Sequence, residues 1–184
     1  MFINLASERV FVLPDDYEVV DASLNDIKYN LRPQFAHTQI ALLDTVPLKA
    51  RSLVGEEYIP GFVGLNNLQG TDFVNVVVQV LTKSAPVRNA MMQFCAKEET
   101  KTDPERLLAI RFAELTRKIW NPKNFKGQVS PHELMQAVAL ASNKRFRIGL
   151  QSDPVNFFAW FVNSIGRADA SLKGVLDEAL QGRV

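Results

Sequence analysis

Five times between Thr71 and Ile165 a helix-starting residue is followed by apolar residues at helical spacing, and this succession restricts the fold more than any other feature. Thr71 opens a run to Lys83 with Phe73, Val76, Val77, Val80 and Leu81 on its apolar side. Pro86 suits the first turn of a helix reaching about Ala96. Asp103 and Pro104 cap and open a long helix to Trp120, with Leu107, Leu108, Ile110, Phe112, Leu115 and Ile119 in its stripe. Ser130, Pro131 and Glu133 start a helix that ends near Ser142. Asp153 and Pro154 start the last long one, through Phe157, Phe158, Trp160, Phe161 and Ile165, a run too dense to face one side only. The tail from Ser171 reads as a short helix turning extended at Gly182.

The preceding residues differ in texture. Short β-rich runs at 2–5 and 9–13 read as a hairpin, Pro14, Asp15 and Asp16 as a turn, and Tyr17 to Val20 as a third extended run. So few short strands need further pairing to be stable. Ser23 with Asp26 resembles a helix cap ahead of Leu24, Ile27 and Leu31. Pro33 opens a second helix carrying Phe35, Ile40, Leu42 and Leu43. Pro47 and Gly55 punctuate a polar connection, and Pro60, Gly61 and Gly64 mark a loop.

With 47% apolar residues, the 184-residue chain can bury a core of domain size. Its 21 basic and 20 acidic residues give a net charge of +1, which provides no long-range field for nucleic acid or acidic membranes. A single cysteine, Cys95, rules out an internal disulfide and suits a reducing compartment. Cys95 with His37 and His132 cannot build a four-ligand Cys/His zinc site. No leader pattern follows Met1, and no apolar run reaches the ~20 residues of a spanning helix, so a soluble intracellular protein is expected.

The chemistry concentrates in "GLNNLQGTDFVN", from Gly64. A loop that ends in a helix, with an amide side chain a few residues upstream, suits acyl transfer. The helix N-terminus stabilises an anionic nucleophile, and the amide donates to a developing oxyanion. The nucleophile position holds Asp72, at or near the first residue of the helix, and Asn67 lies five residues earlier.

The stretch resembles the Cys box of the ubiquitin-specific proteases. It keeps Gly64, Leu65, Asn67, Thr71, an aromatic at Phe73, Asn75 and Gln79, and departs at Asp72, Gln69 and Gly70. Asn67 matches the family's oxyanion-hole position. "QSDPVNFFAWFVNSI" resembles the family's second box, keeping Gln151, Asp153 and Phe157, with Pro154 and Asn156 for Ala and Glu. With "LPDDYEVVDASLNDI" and "WNPKNFKGQVSPHELMQAV", the Asp at position 72 is similar to the snRNP-assembly-defective group of ubiquitin-specific-protease-like splicing factors.

That resemblance implies an α+β, papain-like ubiquitin-protease fold, mainly its helical thumb. Residues 1–20 would be the last strands of a zinc-finger ubiquitin-protease domain, 21–55 a helical linker and 56–184 the thumb. It implies a nuclear, non-catalytic scaffold that supports the U4/U6.U5 tri-snRNP through its proteins, with zinc only in an upstream finger and the catalytic His downstream. Asp72 is then a helix-capping residue of a degenerate site. A carboxylate is a poor nucleophile there, and the anhydride it would form reverts readily. Two other readings are a ubiquitin-binding module without cleavage and an active deubiquitinase, which would need a thiol at position 72.

Other residues read structurally first. Asn67 holds its loop, Cys95 is a small buried hydrophobe, His132 serves a helix start, and His37 is a surface helix residue. Trp120 and Phe125 read as core before partner anchors. Asn143 to Arg147, "NKRFR", reads as a solvated helix end, with RNA phosphate contact as the alternative.

Overall fold

The structure, a computed structural model, describes residues 2–4, 9–12, 17–24, 32–45, 49–52, 54–94, 103–124 and 127–180. Three short strands come first: β1 (Phe2–Asn4), β2 (Arg9–Val12) and β3 (Tyr17–Val19). They form an antiparallel meander in the order β1-β2-β3, with Ile3 opposite Val10 and Val10 opposite Val19. The first two expected extended runs and the third are therefore present. A 3-10 turn, Ala22–Leu24, stands where the first helix was expected. The rest of that helix, residues 25–31, lies outside the described residues, as do the Pro14 turn, Pro47, Cys95, Phe125 and Gly182.

Helix α1 (His37–Leu42) starts four residues later than Pro33 suggests. The Gln39 Oε1 atom accepts from the Ala36 backbone N–H at 2.8 Å and so fixes the start there. Ile40 is buried, whereas Leu42 faces outward. Strands β4 (Ala50–Arg51) and β5 (Glu57–Tyr58) pair antiparallel. Strands β6 (Gly64–Leu65) and β7 (Gln128–Val129) pair in parallel.

The body is helical: α2 (Asp72–Lys83), α3 (Ala85–Gln93), α4 (Pro104–Ile119), α5 (His132–Ala141), α6 (Pro154–Ala168) and α7 (Ala170–Leu180). Helix α4 is central, packing against α3, α5 and α6. Its start follows the Asp-Pro signal, since Asp103 accepts from the Glu105 N–H at 3.2 Å. Asp153 caps α6 in the same way, accepting from the Asn156 N–H at 2.8 Å.

The core is one cluster joining these helices. Phe112 meets Phe161 edge-to-face at 5.1 Å between ring centroids, and Phe157 meets Phe73 at 5.4 Å and Phe146 at 5.2 Å. Each such pair adds about 0.5–1.5 kcal/mol beyond its area burial. The dense aromatic run of α6 divides as its spacing requires: Phe157 and Phe161 are fully buried, while Phe158 and Trp160 lie at the margin. Helix α2 departs from expectation. Phe73, Val74, Val77, Val78 and Leu81 face the core, whereas Val76 and Val80 are 56% and 60% exposed. The chain is so rich in valine here that the stripe cannot be located from composition. Burial follows the two i, i+4 rows through positions 73 and 74.

Trp120 is buried, as its place at the end of α4 suggests. Its Nε1 donates to the Thr82 carbonyl at 3.1 Å. Gly61 has φ +86, and a Cβ there would lie 2.7 Å from the Trp120 ring. Glycine is therefore required by both backbone and space. The Gly61 N–H donates to the Ile119 carbonyl at 2.9 Å and ties the loop before β6 to the end of α4. Tyr58 reinforces the junction, its Oη donating to the Asn121 carbonyl at 3.2 Å and accepting from the Asn124 N–H at 2.8 Å.

Candidate functional site

The loop from Gly64 to Thr71 is held from both sides. The parallel β6–β7 pair fixes its start, with the Asn66 N–H donating to the Val129 carbonyl at 3.0 Å. Two amide side chains of α2 hold its back. Asn75 Nδ2 donates to the Asn66 carbonyl at 3.2 Å, and Gln79 Nε2 donates to the Val63 carbonyl at 2.9 Å. The motif residues Asn75 and Gln79 are thus satisfying loop carbonyls that would otherwise be costly to leave unpaired.

At the loop's end, Asn67 Oδ1 accepts from the Thr71 backbone N–H at 3.0 Å and from its hydroxyl at 3.3 Å. The Thr71 Oγ1 in turn accepts from the Leu68 N–H at 2.9 Å. This confirms the structural reading of Asn67 as the brace of its loop. Because a backbone donor fixes which end of the amide is oxygen, Nδ2 is the end that remains to donate outward.

Asp72 is the first residue of α2, and it is exposed. It does not cap the helix. The cap position belongs to Thr71, whose hydroxyl is turned back into the loop. The cap geometry is displaced because the Asn67 turn uses Thr71 before the helix begins.

The second motif reaches the first. Gln151 Nε2 donates to Asp72 Oδ2 at 3.3 Å. The Gly149 N–H donates to the Gln69 carbonyl at 2.9 Å. Gln69 and Gly70 both have positive φ, +56 and +76, which turns the loop under residue 151. Asp72 and Gln151 are thereby brought together, and both are exposed, as is Asn67. Gln151 was legible as part of a motif, but its partner was not.

Neither histidine is hydrogen-bonded to Asp72 among the described residues. His132 opens α5 and meets Gln136 Nε2 at 3.1 Å, and His37 is exposed at the start of α1. Among the described residues, no group of three or more His, Cys, Asp or Glu is placed to hold a metal ion. No helix among them is long and apolar enough to cross a membrane.

Sequence reasoning missed a buried cation. Arg88, 1% exposed, donates in parallel from Nη1 and Nη2 to Asp44 at 2.8 and 2.6 Å and lies 4.6 Å from the Trp120 ring centroid. The Arg88 hydrogen bond holds the Asp44 carboxyl below the usual carboxylate range. This pair ties the segment after α1 to α3. Nearby, Lys83 Nζ is buried without a hydrogen-bond partner among the described residues, 3.8 Å from the Phe62 ring centroid, and burial pushes its pKa down.

A loop braced by an asparagine, the helix it leads into and a second motif in contact with both are the arrangement that the resemblance to ubiquitin-specific proteases implies. The chain belongs to the ubiquitin carboxyl-terminal hydrolase family, whose sequence pattern matches residues 63–175. Human ubiquitin carboxyl-terminal hydrolase 39 is 42% identical over 189 residues, covering 99% of this chain and 34% of that protein. The probable mRNA-splicing protein ubp10 of Schizosaccharomyces pombe is 39% identical over 165 residues, covering 90% of this chain and 32% of that protein. The chain thus spans about a third of the length of these curated relatives. The crystal structure of an essential yeast splicing factor superposes with a TM-score of 0.76 at 23% identity, covering 95% of this chain and 42% of that one. The expected fold is confirmed: a ubiquitin-specific-protease-like domain, helical with few short strands.

Proposed function

We propose that the chain is part of a non-catalytic, ubiquitin-protease-like splicing factor that works in the nucleus and supports the U4/U6.U5 tri-snRNP through protein contacts. The observation that carries this is Asp72 at the head of α2, in a loop otherwise built like that of a thiol hydrolase. A carboxylate is a weak nucleophile toward an amide, and the hydrogen-bond partner of Asp72 is itself an amide, Gln151, which cannot serve as a general base. Asp72 and Asn67 are in this reading the remains of a catalytic site. The relatives' names favour the splicing role, since one is a probable mRNA-splicing protein. The β1–β3 meander would close a zinc-finger ubiquitin-protease domain over residues 1–20, followed by a linker over 21–55.

Two assays on the tagged full-length protein test this. Purification from nuclear extract at moderate salt is expected to recover U4, U5 and U6 RNAs with their proteins. A ubiquitin C-terminal fluorogenic substrate is expected to show no turnover. Turnover abolished by Asp72→Asn would overturn the non-catalytic reading. Recovery of ubiquitin conjugates without those RNAs would favour a ubiquitin-binding module instead.

A further inference from the structure

The turn after α5 places Lys144, Arg145 and Arg147 on the surface, all exposed. None of the three forms an ion pair among the described residues. The aromatic residue between them, Phe146, is 1% exposed and packs on Phe73, Phe157 and Trp160. It plugs the core and leaves no ring on which a base could stack. Beside the cations, Ala139, Leu140, Asn143 and Lys144 line an open concavity of about 380 Å³, and Leu140 is 55% exposed.

The turn is rigidly held. The Lys144 N–H donates to the Ala139 carbonyl at 2.7 Å, and the Phe146 N–H donates to Ser142 Oγ at 3.1 Å. Asn143 and Lys144 are consecutive left-handed residues, with φ +51 and +63. Asparagine tolerates that conformation, whereas lysine does so at a cost that glycine would avoid. The turn thus holds, on a backbone fixed in a costly conformation, cations without ion-pair partners among the described residues beside an exposed leucine, which suits a binding surface.

We propose that this turn docks a partner protein through an acidic segment that seats an aliphatic side chain against Leu140 and offers carboxylates to Lys144, Arg145 and Arg147. Charge complementarity selects an anionic partner, and the leucine-lined concavity with a buried Phe146 selects a peptide over RNA. The proposal deepens the scaffold reading and rests on it.

The test uses the full-length protein with photoreactive benzoylphenylalanine in place of Leu140, irradiated in nuclear extract, with the conjugated residues mapped. The expected conjugate is one protein segment in which Asp and Glu outnumber Lys and Arg around an aliphatic residue. Lys144→Glu, Arg145→Glu and Arg147→Glu together are expected to lower its yield about tenfold. Lys144→Gly, which removes a charge and relieves the backbone, is expected to lower the yield about threefold without lowering the melting temperature. Conjugation to RNA, conjugation to a segment without acidic excess, a yield indifferent to charge reversal, or no conjugate at all would overturn the proposal. If tri-snRNP RNAs still co-purify in that case, the docking turn falls and the scaffold reading stands.

Discussion

Gln151 Nε2 donates to Asp72 Oδ2 across 79 residues of sequence, and that contact joins the two motifs. Both residues are exposed, so water screens the interaction. Gln151→Ala and Asp72→Asn are each expected to change stability by less than about 1 kcal/mol. Urea titration checks this. A loss of several kcal/mol would mean that Asp72 carries the fold and is no mere surface remnant.

Gly61→Ala is expected to be far more damaging. It forces a Cβ into the Trp120 ring at 2.7 Å and puts a side chain on a backbone with φ +86. The cost is about 2–4 kcal/mol, combining backbone strain with overpacking. Thermal unfolding would show it as a lower melting temperature, accompanied by a changed Trp fluorescence spectrum.

The Arg88–Asp44 pair gives a pH signature. Asp44 has a lowered carboxyl pKa in the folded state, so its contribution is complete above the unfolded value, about pH 4, and is lost as pH falls through the folded value. Asp44→Asn lacks that contribution. Asp44 is more than half exposed, so the difference at pH 7 is about 1 kcal/mol, and the two stability curves converge in acid. Arg88→Ala also loses its packing on Trp120 and is expected to cost about 3 kcal/mol. Denaturant melts from pH 7 to pH 2.5 measure both.

Lys83 runs the opposite way. Burial lowers its pKa, so folding disfavours the charged form, and stability from this group rises as pH climbs through the folded value. Among the described residues its ammonium has no hydrogen-bond partner and gains the faces of Phe62, 3.8 Å away, and Trp120, 5.6 Å away, in return. Lys83→Met is expected to stabilise by about 1 kcal/mol, seen as a higher urea midpoint at pH 7.

What the sequence made readable was local. The Asp-Pro starts of α4 and α6 were legible because Asp103 and Asp153 cap the residues two or three places on, and proline suits the first helical turn. Asn67 was legible as a loop brace for the same reason, its partner Thr71 being four residues away. Long-range contacts were not legible. Nothing near Arg88 signals that Asp44 and Trp120 will bury it. "NKRFR" reads as a solvated helix end, yet Phe146 belongs to the aromatic core. In the valine-rich α2, only packing against α3 and α6 decides that positions 76 and 80 face outward.

The central claim is that the protein supports splicing complexes without catalysis at Asp72. The most direct measurement is rescue in cells depleted of the full-length protein, with tri-snRNP abundance read by gradient sedimentation. The account predicts that depletion lowers tri-snRNP abundance and that wild type and Asp72→Asn restore it equally. Failure of a folded Asp72→Asn protein to rescue, or tri-snRNP indifferent to depletion, would contradict it.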